Sequence, residues 1–391
     1  RHTRLGRWSR GLGDVYKRQN LKLALETLEE LYLPLAEDEL SEQIELTERD
    51  RQFLEKALPF YEQLAAQKSD DPEMRFVEAH AYLRVGNIYR NLRTHPDEKI
   101  EPAEAALRQA IALFQNLADE VPGNLTYQQK LAHSHRSLGI LLRRRGPEAK
   151  QAFRTAIDLY DPVVAATDNA EHYAARGSCY RELKRCDDAV ADYRKAVELE
   201  PKNASFHQSL SRLYTDVRSL DLGLAVMHAQ KAIELDSTNP WYWSHLAYVY
   251  QRRLNLEAAR EACTKALSLD GDLSKANLQM AGLLRLEGDY EQALIFAQKG
   301  FQGYEPEPSA YQTRGMIYSQ LGRFHEALAD FNKAVELVPR NSWVYRGRAR
   351  IYVKLGRFDE ALADYTKAIE QAPENLIQLN NTAYDMVRDP G

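Results

Sequence analysis

The residues of this chain that could do chemistry are few, and their spacing works against them. His133 and His135 stand two apart in a stretch with helical periodicity, so their rings point in different directions and cannot share a metal ion as an i, i+4 pair does. Cys179, Cys186 and Cys263 form neither an even framework nor a Cys-x-x-Cys pair, and they occupy positions where a packed helix uses small apolar residues, so they read as buried, reduced thiols. The acid pairs Asp187-Asp188 and Glu29-Glu30 fall in turns or on solvated helix faces with no nucleophile, base and oxyanion donor converging on them, and they read as solubilising charge. Gly11-Leu12-Gly13 follows no strand and lacks a third glycine at the required spacing, so it is no phosphate loop. A glycine-rich loop on a strand, a His-Arg-Asp catalytic loop and an Asp-Phe-Gly triplet are all missing, so this sequence carries no phosphoryl-transfer machinery. The expectation is a chain with no catalytic residues, no metal ligands and no cofactor.

What remains for the residues to do is to build a scaffold. With 44% hydrophobic and 28% charged residues among 391, the chain can bury a large apolar surface and is expected to fold. No Pro/Gly/Ser-rich linker divides it, which points to one extended array. The formal charge is −5, but residues 1–19 carry six Arg/Lys against one Asp, so the remainder is near −10. An acidic body without a basic tract argues against nucleic acid as a partner. No run approaches the roughly eighteen apolar residues of a membrane helix, and no apolar segment with a small-residue cleavage site follows the basic start. We expect a cytoplasmic protein with no membrane insertion of this segment, or else a soluble arm of a membrane-anchored one.

Self-similarity supplies the fold. A period of 34 residues runs through units 170–203, 204–239, 240–273, 274–307, 308–341 and 342–375, with a two-residue excess near Arg218–Leu220. Position 8 of each unit is small (Gly177, Ser211, Ala247, Ala281, Gly315, Ala349), and so is the facing position of the second helix (Ala189, Ala225, Ala259, Ala293, Ala327, Ala361). Two antiparallel helices pack closely only where both are small. Large residues at positions 4 and 11, such as Tyr173, Trp243, Tyr180 and Tyr318, fill the space between hairpins. Leu321-Gly322 and Leu355-Gly356 end first helices where glycine takes the left-handed conformation, and Pro201, Pro339 and Pro373 close second helices. Glu305, Ser237 and Gly271 replace the expected proline elsewhere, and Ala297 an expected aromatic, which predicts looser stacking there.

These signature positions resemble the tetratricopeptide repeat. The resemblance implies an all-α, right-handed superhelical solenoid of antiparallel helix pairs (A and B) that binds a protein or peptide in its concave groove. In that family the inner wall is lined by positions 2, 5, 9, 12 and 13 of helix A, with position 6 at its edge. Carried over, the register gives Arg212, Trp241, Ser244, His245, Tyr248, Gln251, Arg252, Lys275, Gln279, Arg285, Gln312, Gln320, Trp343, Arg346, Arg350 and Lys354. Such a polar, cation-bearing wall with aromatic anchors suits an extended, acidic peptide. Arg346, Arg350 and Lys354 share one helical stripe by their i, i+4, i+8 spacing. The Lys/Asn pair with which some family members clamp a terminal carboxylate is not evident at positions 5 and 9.

Before Ala170 the same code is stretched. Tyr82, Gly86, Tyr89 and Leu92 mark a helix A, and Ala103, Leu107 and Ala110 a helix B after a long turn at Arg93–Pro102. Leu138-Gly139, Ala149, Phe153 and Ala156 mark the next pair. These two irregular units cover 79–169, preceded by an N-terminal helical segment at 20–78 in which Asn20–Leu35 and Thr47–Lys68 read as helices, the second capped by Thr47-x-x-Asp50 and kinked or interrupted at Pro59. The fragments 84–92 and 131–142 resemble the region that follows the catalytic domain in planctomycete-type bacterial serine/threonine kinases, which implies an interaction arm of a kinase whose catalytic domain lies elsewhere. Residues 1–19 have no cap or apolar face and resemble translated adapter sequence, a non-native or disordered leader. Residues 376–391 carry a last helix A (Leu379, Ala383, Met386), either a cap or a truncated next repeat.

Overall fold

The computed structural model describes residues 48–92, 100–216, 221–301 and 308–371. The expectations for residues 1–47, for the turns at 93–99 and 217–220, for Glu305, and for Pro373 and the helix beyond it lie outside the described residues. Those residues form α-helices, with one short 3₁₀ turn and no strand among them. The chain divides between Asp236 and Ser237 into two compact units.

The N-terminal unit is α1 (Glu48–Ala65), α2 (Pro72–Asn91), α3 (Ile100–Glu120), α4 (Leu125–Leu141), α5 (Pro147–Thr167), α6 (Ala170–Glu182), α7 (Cys186–Leu199), α8 (Ala204–Thr215) and α9 (Leu222–Leu235). The C-terminal unit is α10 (Pro240–Arg252), α11 (Leu256–Leu269), α12 (Ser274–Glu287), α13 (Tyr290–Lys299), α14 (Pro308–Gln320), α15 (Phe324–Leu337), α16 (Ser342–Lys354) and α17 (Phe358–Gln371). In each unit every helix packs on the next, and A helices also touch the following A helix, α2 with α4, α4 with α6, α10 with α12, α12 with α14 and α14 with α16. The pairs α2/α3 and α4/α5 are longer, with helices of 20, 21, 17 and 21 residues, where the later pairs use 10 to 14.

Side-chain size sets this packing. A Cβ added at Gly86 would lie 2.6 Å from Leu107 Cγ, and one at Gly177 would lie 3.1 Å from the Tyr193 ring. The glycines let α3 and α7 press their large side chains against the A-helix backbone. Leu107 and Tyr193 are thereby fully buried, and truncating a buried ring like that of Tyr193 to alanine costs about 3–5 kcal/mol. Asparagine starts most A helices: Asn124, Asn169, Asn203, Asn239 and Asn341 each accept from a backbone N–H of the first turn through the side chain, each cap contributing about 1 kcal/mol.

The A-to-B turn reverses through a left-handed residue. Gly288, Gly322 and Gly356 take φ of 87°, 75° and 71° there, and the equivalent Lys184 and Leu254 take 61° and 60° without being glycine. Pro59 does not interrupt its helix, which runs unbroken from Glu48 to Ala65. Its ring is exposed while Leu54, Ala57, Tyr61 and Leu64 anchor the other side of α1 on α2, and this packing outweighs the lost hydrogen bond.

A recurrent ion pair, not foreseen in the sequence, ties A to B. Arg176, Arg314 and Arg348 each donate twice to an aspartate sixteen residues on, Asp192, Asp330 and Asp364, with distances between 2.6 and 2.9 Å. Two tyrosines flank each guanidinium, for Arg348 Tyr345 and Tyr352, both 5.7 Å away. Held bidentate and largely out of water, these pairs fix the angle between the two helices.

Candidate peptide-binding wall

The A helices α10, α12, α14 and α16 form a row in the C-terminal unit, each in contact with the next. No two of its B helices make a contact of that size, so the A face is the inner face of this unit. Every residue assigned to the wall lies on these four helices except Arg212, which sits half-buried on α8 of the N-terminal unit.

On α10, Trp241 is part-exposed and Tyr248 exposed. Arg252 Nη1 donates to the Tyr248 hydroxyl at 3.3 Å, and the buried His245 ring tilts against the Tyr248 ring with centroids 6.3 Å apart. Ser244 is fully buried: its Oγ donates to Gln279 Oε1 at 3.0 Å, and Gln251 Nε2 donates to the Gln279 carbonyl at 3.3 Å. Ser244, Gln251 and Gln279 thus join α10 to α12, and Ser244 and His245 lie behind the surface of the wall.

On α12, Lys275 and Arg285 are half-buried. Gln279 Nε2 and Arg285 Nε are buried donors that meet no acceptor, and burial pulls the Arg285 guanidinium below the ordinary arginine range. A buried donor left unmade costs about 1–3 kcal/mol, so this part of the wall suits oxygen acceptors such as peptide carbonyls or carboxylates. Gln312 is half-buried and Gln320 exposed on α14.

On α16, Trp343 is 58% exposed, and Arg346 stacks over its ring at 4.1 Å. Arg350 and Lys354, both solvent-exposed, continue the same stripe. The helix thus presents an aromatic face and three cations, groups capable of stacking and charge-assisted contacts.

Cys179, Cys186 and Cys263 are free and buried. Cys263 donates to the Ala276 carbonyl at 3.1 Å, and burial pushes its thiol up to about 12, far from the thiolate a nucleophile needs. Burial lowers the pKa of both His133 and His135. No group of three or more His, Cys, Asp or Glu side chains able to hold a metal occurs among the described residues. No described helix is long and apolar enough to cross a membrane.

One titratable pair escaped the sequence reading. His207 Nε2 lies 3.1 Å from the Pro201 carbonyl, which can only accept, so Nε2 carries the proton and Nδ1 is an acceptor. His228 Nδ1, 3.0 Å away, then donates to it. The two rings sit at positions 4 and 23 of their repeat, where three of the other five units carry Tyr and Asp, and that substitution was the available signal.

The architecture defines a class: a helix-pair repeat scaffold with an inner wall of A helices. Comparison with known proteins narrows it. The tetratricopeptide repeat family matches at residues 170–203 and again at 306–374, and the chain carries tetratricopeptide repeats over these stretches. It is 23% identical over 302 residues to the human protein O-mannosyl-transferase TMTC3, covering 75% of this chain and 30% of that protein. It is 26% identical over 194 residues to the human mitochondrial import receptor subunit TOM70, covering 48% of this chain and 31% of the relative. The chain therefore spans about a third of these relatives. Yeast Tom70 shares the fold, with a TM-score of 0.55 at 17% identity over 86% of this chain and 73% of that structure.

Proposed function

We propose that this chain is a protein–protein interaction scaffold that holds an extended, acidic peptide segment on the A-helix wall of its C-terminal unit. The observation that carries the reading is the exposed Trp343–Arg346 stack continued by Arg350 and Lys354 on α16. The unsatisfied donors Gln279 Nε2 and Arg285 Nε on α12 add sites for backbone or side-chain oxygens. An import receptor subunit among the relatives is in keeping with a binding role. We assign no enzymatic activity: the transferase name belongs to a relative of which this chain spans 30%, and no constellation of nucleophile, base and oxyanion donor is brought together on the wall. The test is a pull-down with the chain and with its Arg346→Ala, Arg350→Ala, Lys354→Ala variant, at equal helicity by circular dichroism. A partner held by the first and lost by the second supports the reading, and a partner held equally by both overturns it.

A second reading, an interaction arm of a serine/threonine kinase, rests on the resemblance of the fragments 84–92 and 131–142, which fall on the long helices α2 and α4. Kinase motifs encoded upstream of Asn20 in the gene would support it, and a start codon with a short leader there would refute it.

A further inference from the structure

The histidine pair of α8 and α9 has one ring nitrogen more than its packing role uses. The side chain at position 4 gives a polar atom to the carbonyl six residues before it: His207 Nε2 meets that of Pro201 at 3.1 Å, as Trp243 Nε1 meets that of Ser237 at 3.0 Å and the Tyr345 hydroxyl that of Pro339 at 3.1 Å. Tryptophan and tyrosine have no other polar atom to offer. His207 keeps Nδ1, an acceptor 3.0 Å from Nδ1 of His228. The arginine and aspartate that tie A to B at positions 7 and 23 in three other units are replaced here by Leu210 and His228, so a second imidazole stands where those units have a paired carboxylate. The bond to Pro201 holds His207 as a metal-ligating histidine is held, with one ring nitrogen donating to a backbone carbonyl and the other presenting its lone pair.

With metal–nitrogen bonds of about 2.0–2.1 Å, two nitrogens 3.0 Å apart subtend about 95° at the ion. That is close to the cis angle of a square-planar or octahedral centre and short of the tetrahedral angle zinc takes in closed sites. His207 is 7% exposed and His228 half-buried, so solvent reaches the pair at His228. Burial holds both rings below the ordinary histidine range, so both are neutral at pH 7 and able to ligate. Of the charges that face them, Lys231 and Glu234 pair with each other at 2.8 Å, and Arg194 donates to the Tyr214 hydroxyl at 2.8 Å. A cation so near weakens every divalent ion, which favours the one that binds imidazole most strongly, copper(II). We propose that Nδ1 of His207 and Nδ1 of His228 form a two-histidine site for copper(II). Binding moves the proton of His228 Nδ1 to its Nε2 through solvent, gives both Nδ1 lone pairs to the ion and leaves water to complete its shell, with no net release of protons at pH 7.

The experiment titrates the full chain, stripped of metal with a chelator and free of any histidine tag, with copper(II) sulfate at pH 7. Beside it stand three variants of equal helicity by circular dichroism. His207→Tyr installs the residue three other units carry and keeps the bond to Pro201, His228→Gln still donates to His207, and His325→Gln removes an exposed histidine of α15. Calorimetry reads the affinity and electron paramagnetic resonance the nitrogens on the ion. Losing only an outer partner of a ligating histidine weakens a metal by about 10–100-fold, so losing the ligand itself should weaken copper(II) at least tenfold. The expected result is that loss in His207→Tyr and in His228→Gln, each with one coordinated nitrogen fewer, and unchanged binding in His325→Gln. Equal affinity in all four proteins, which would mark an adventitious ion only, an equal loss in His325→Gln, or no binding to the unaltered chain would each overturn the inference.

Discussion

Acid should loosen the N-terminal unit through His228. Its ring stacks on Tyr214, and it faces His207 of α8 and Arg194 of α7. Burial first, and then these two neighbours, push its pKa from 6.5 down to about 4. The folded value lies below the unfolded one, so between them the unfolded chain binds more protons and stability falls as the pH drops. The loss begins near 6.5 and is complete near 4. For a single site with these two values, the drop between pH 7 and pH 5 is about 2 kcal/mol. The hydrogen bond adds to this loss only through His207, whose Nδ1 on protonation would turn from acceptor to donor and face the donating Nδ1 of His228. The comparison is between the chain and a His228→Gln variant, which keeps a donor for His207 but does not titrate. Urea denaturation followed by far-ultraviolet circular dichroism at pH 5, 6 and 7 reads the stability, and the His228 ring proton shift reads its pKa directly. Other buried histidines, His80 and His133 among them, are shared by both proteins and cancel in the difference. The reasoning is refuted if His228 titrates near 6.5 in the folded chain, or if the two proteins lose stability in parallel.

Three further outcomes test the packing. Leu254 is 85% exposed at φ 60°; a left-handed leucine costs about 1–2 kcal/mol, so Leu254→Gly should stabilise the C-terminal unit by about 0.5–1 kcal/mol in thermal denaturation. Arg348→Ala strands the buried Asp364 carboxylate and should cost about 3 kcal/mol or more, while Arg348→Met with Asp364→Leu should cost clearly less, as measured by urea midpoints. Gly86→Ala sets a Cβ against Leu107 and should destabilise by about 1–3 kcal/mol, an effect reduced in the background of Leu107→Ala, which removes the opposing γ carbon.

Much of this fold is legible in the sequence because each repeat states the same packing problem again. Small residues such as Gly177 and Ala189 mark where two backbones approach, and Leu321-Gly322 and Leu355-Gly356 mark left-handed turns. The same turn geometry at Lys184 and Leu254 is invisible, since only glycine announces it. The Arg348–Asp364 pair is hidden for a related reason: two charges sixteen residues apart look like surface until the hairpin folds one onto the other. Pro59 misleads in the other direction, because the propensity of a single residue yields to a face anchored by Leu54, Tyr61 and Leu64. At the candidate wall, register alone places Ser244 and Gln279 beside Trp241 and Arg252. Only the packing of α10 on α12 shows that the first two bond to each other while Tyr248 and Trp343 stay open.

The account rests on α16, and the most direct measurement is a selection from a random peptide library on the immobilised chain, followed by titration of the enriched peptides against the chain and its Arg346→Ala, Arg350→Ala, Lys354→Ala variant. With about 1 kcal/mol lost for each charge-assisted contact, the account predicts enrichment of acidic, extended sequences that bind the variant at least tenfold more weakly. Enriched peptides without acidic residues, or equal affinity for the two proteins, would contradict it.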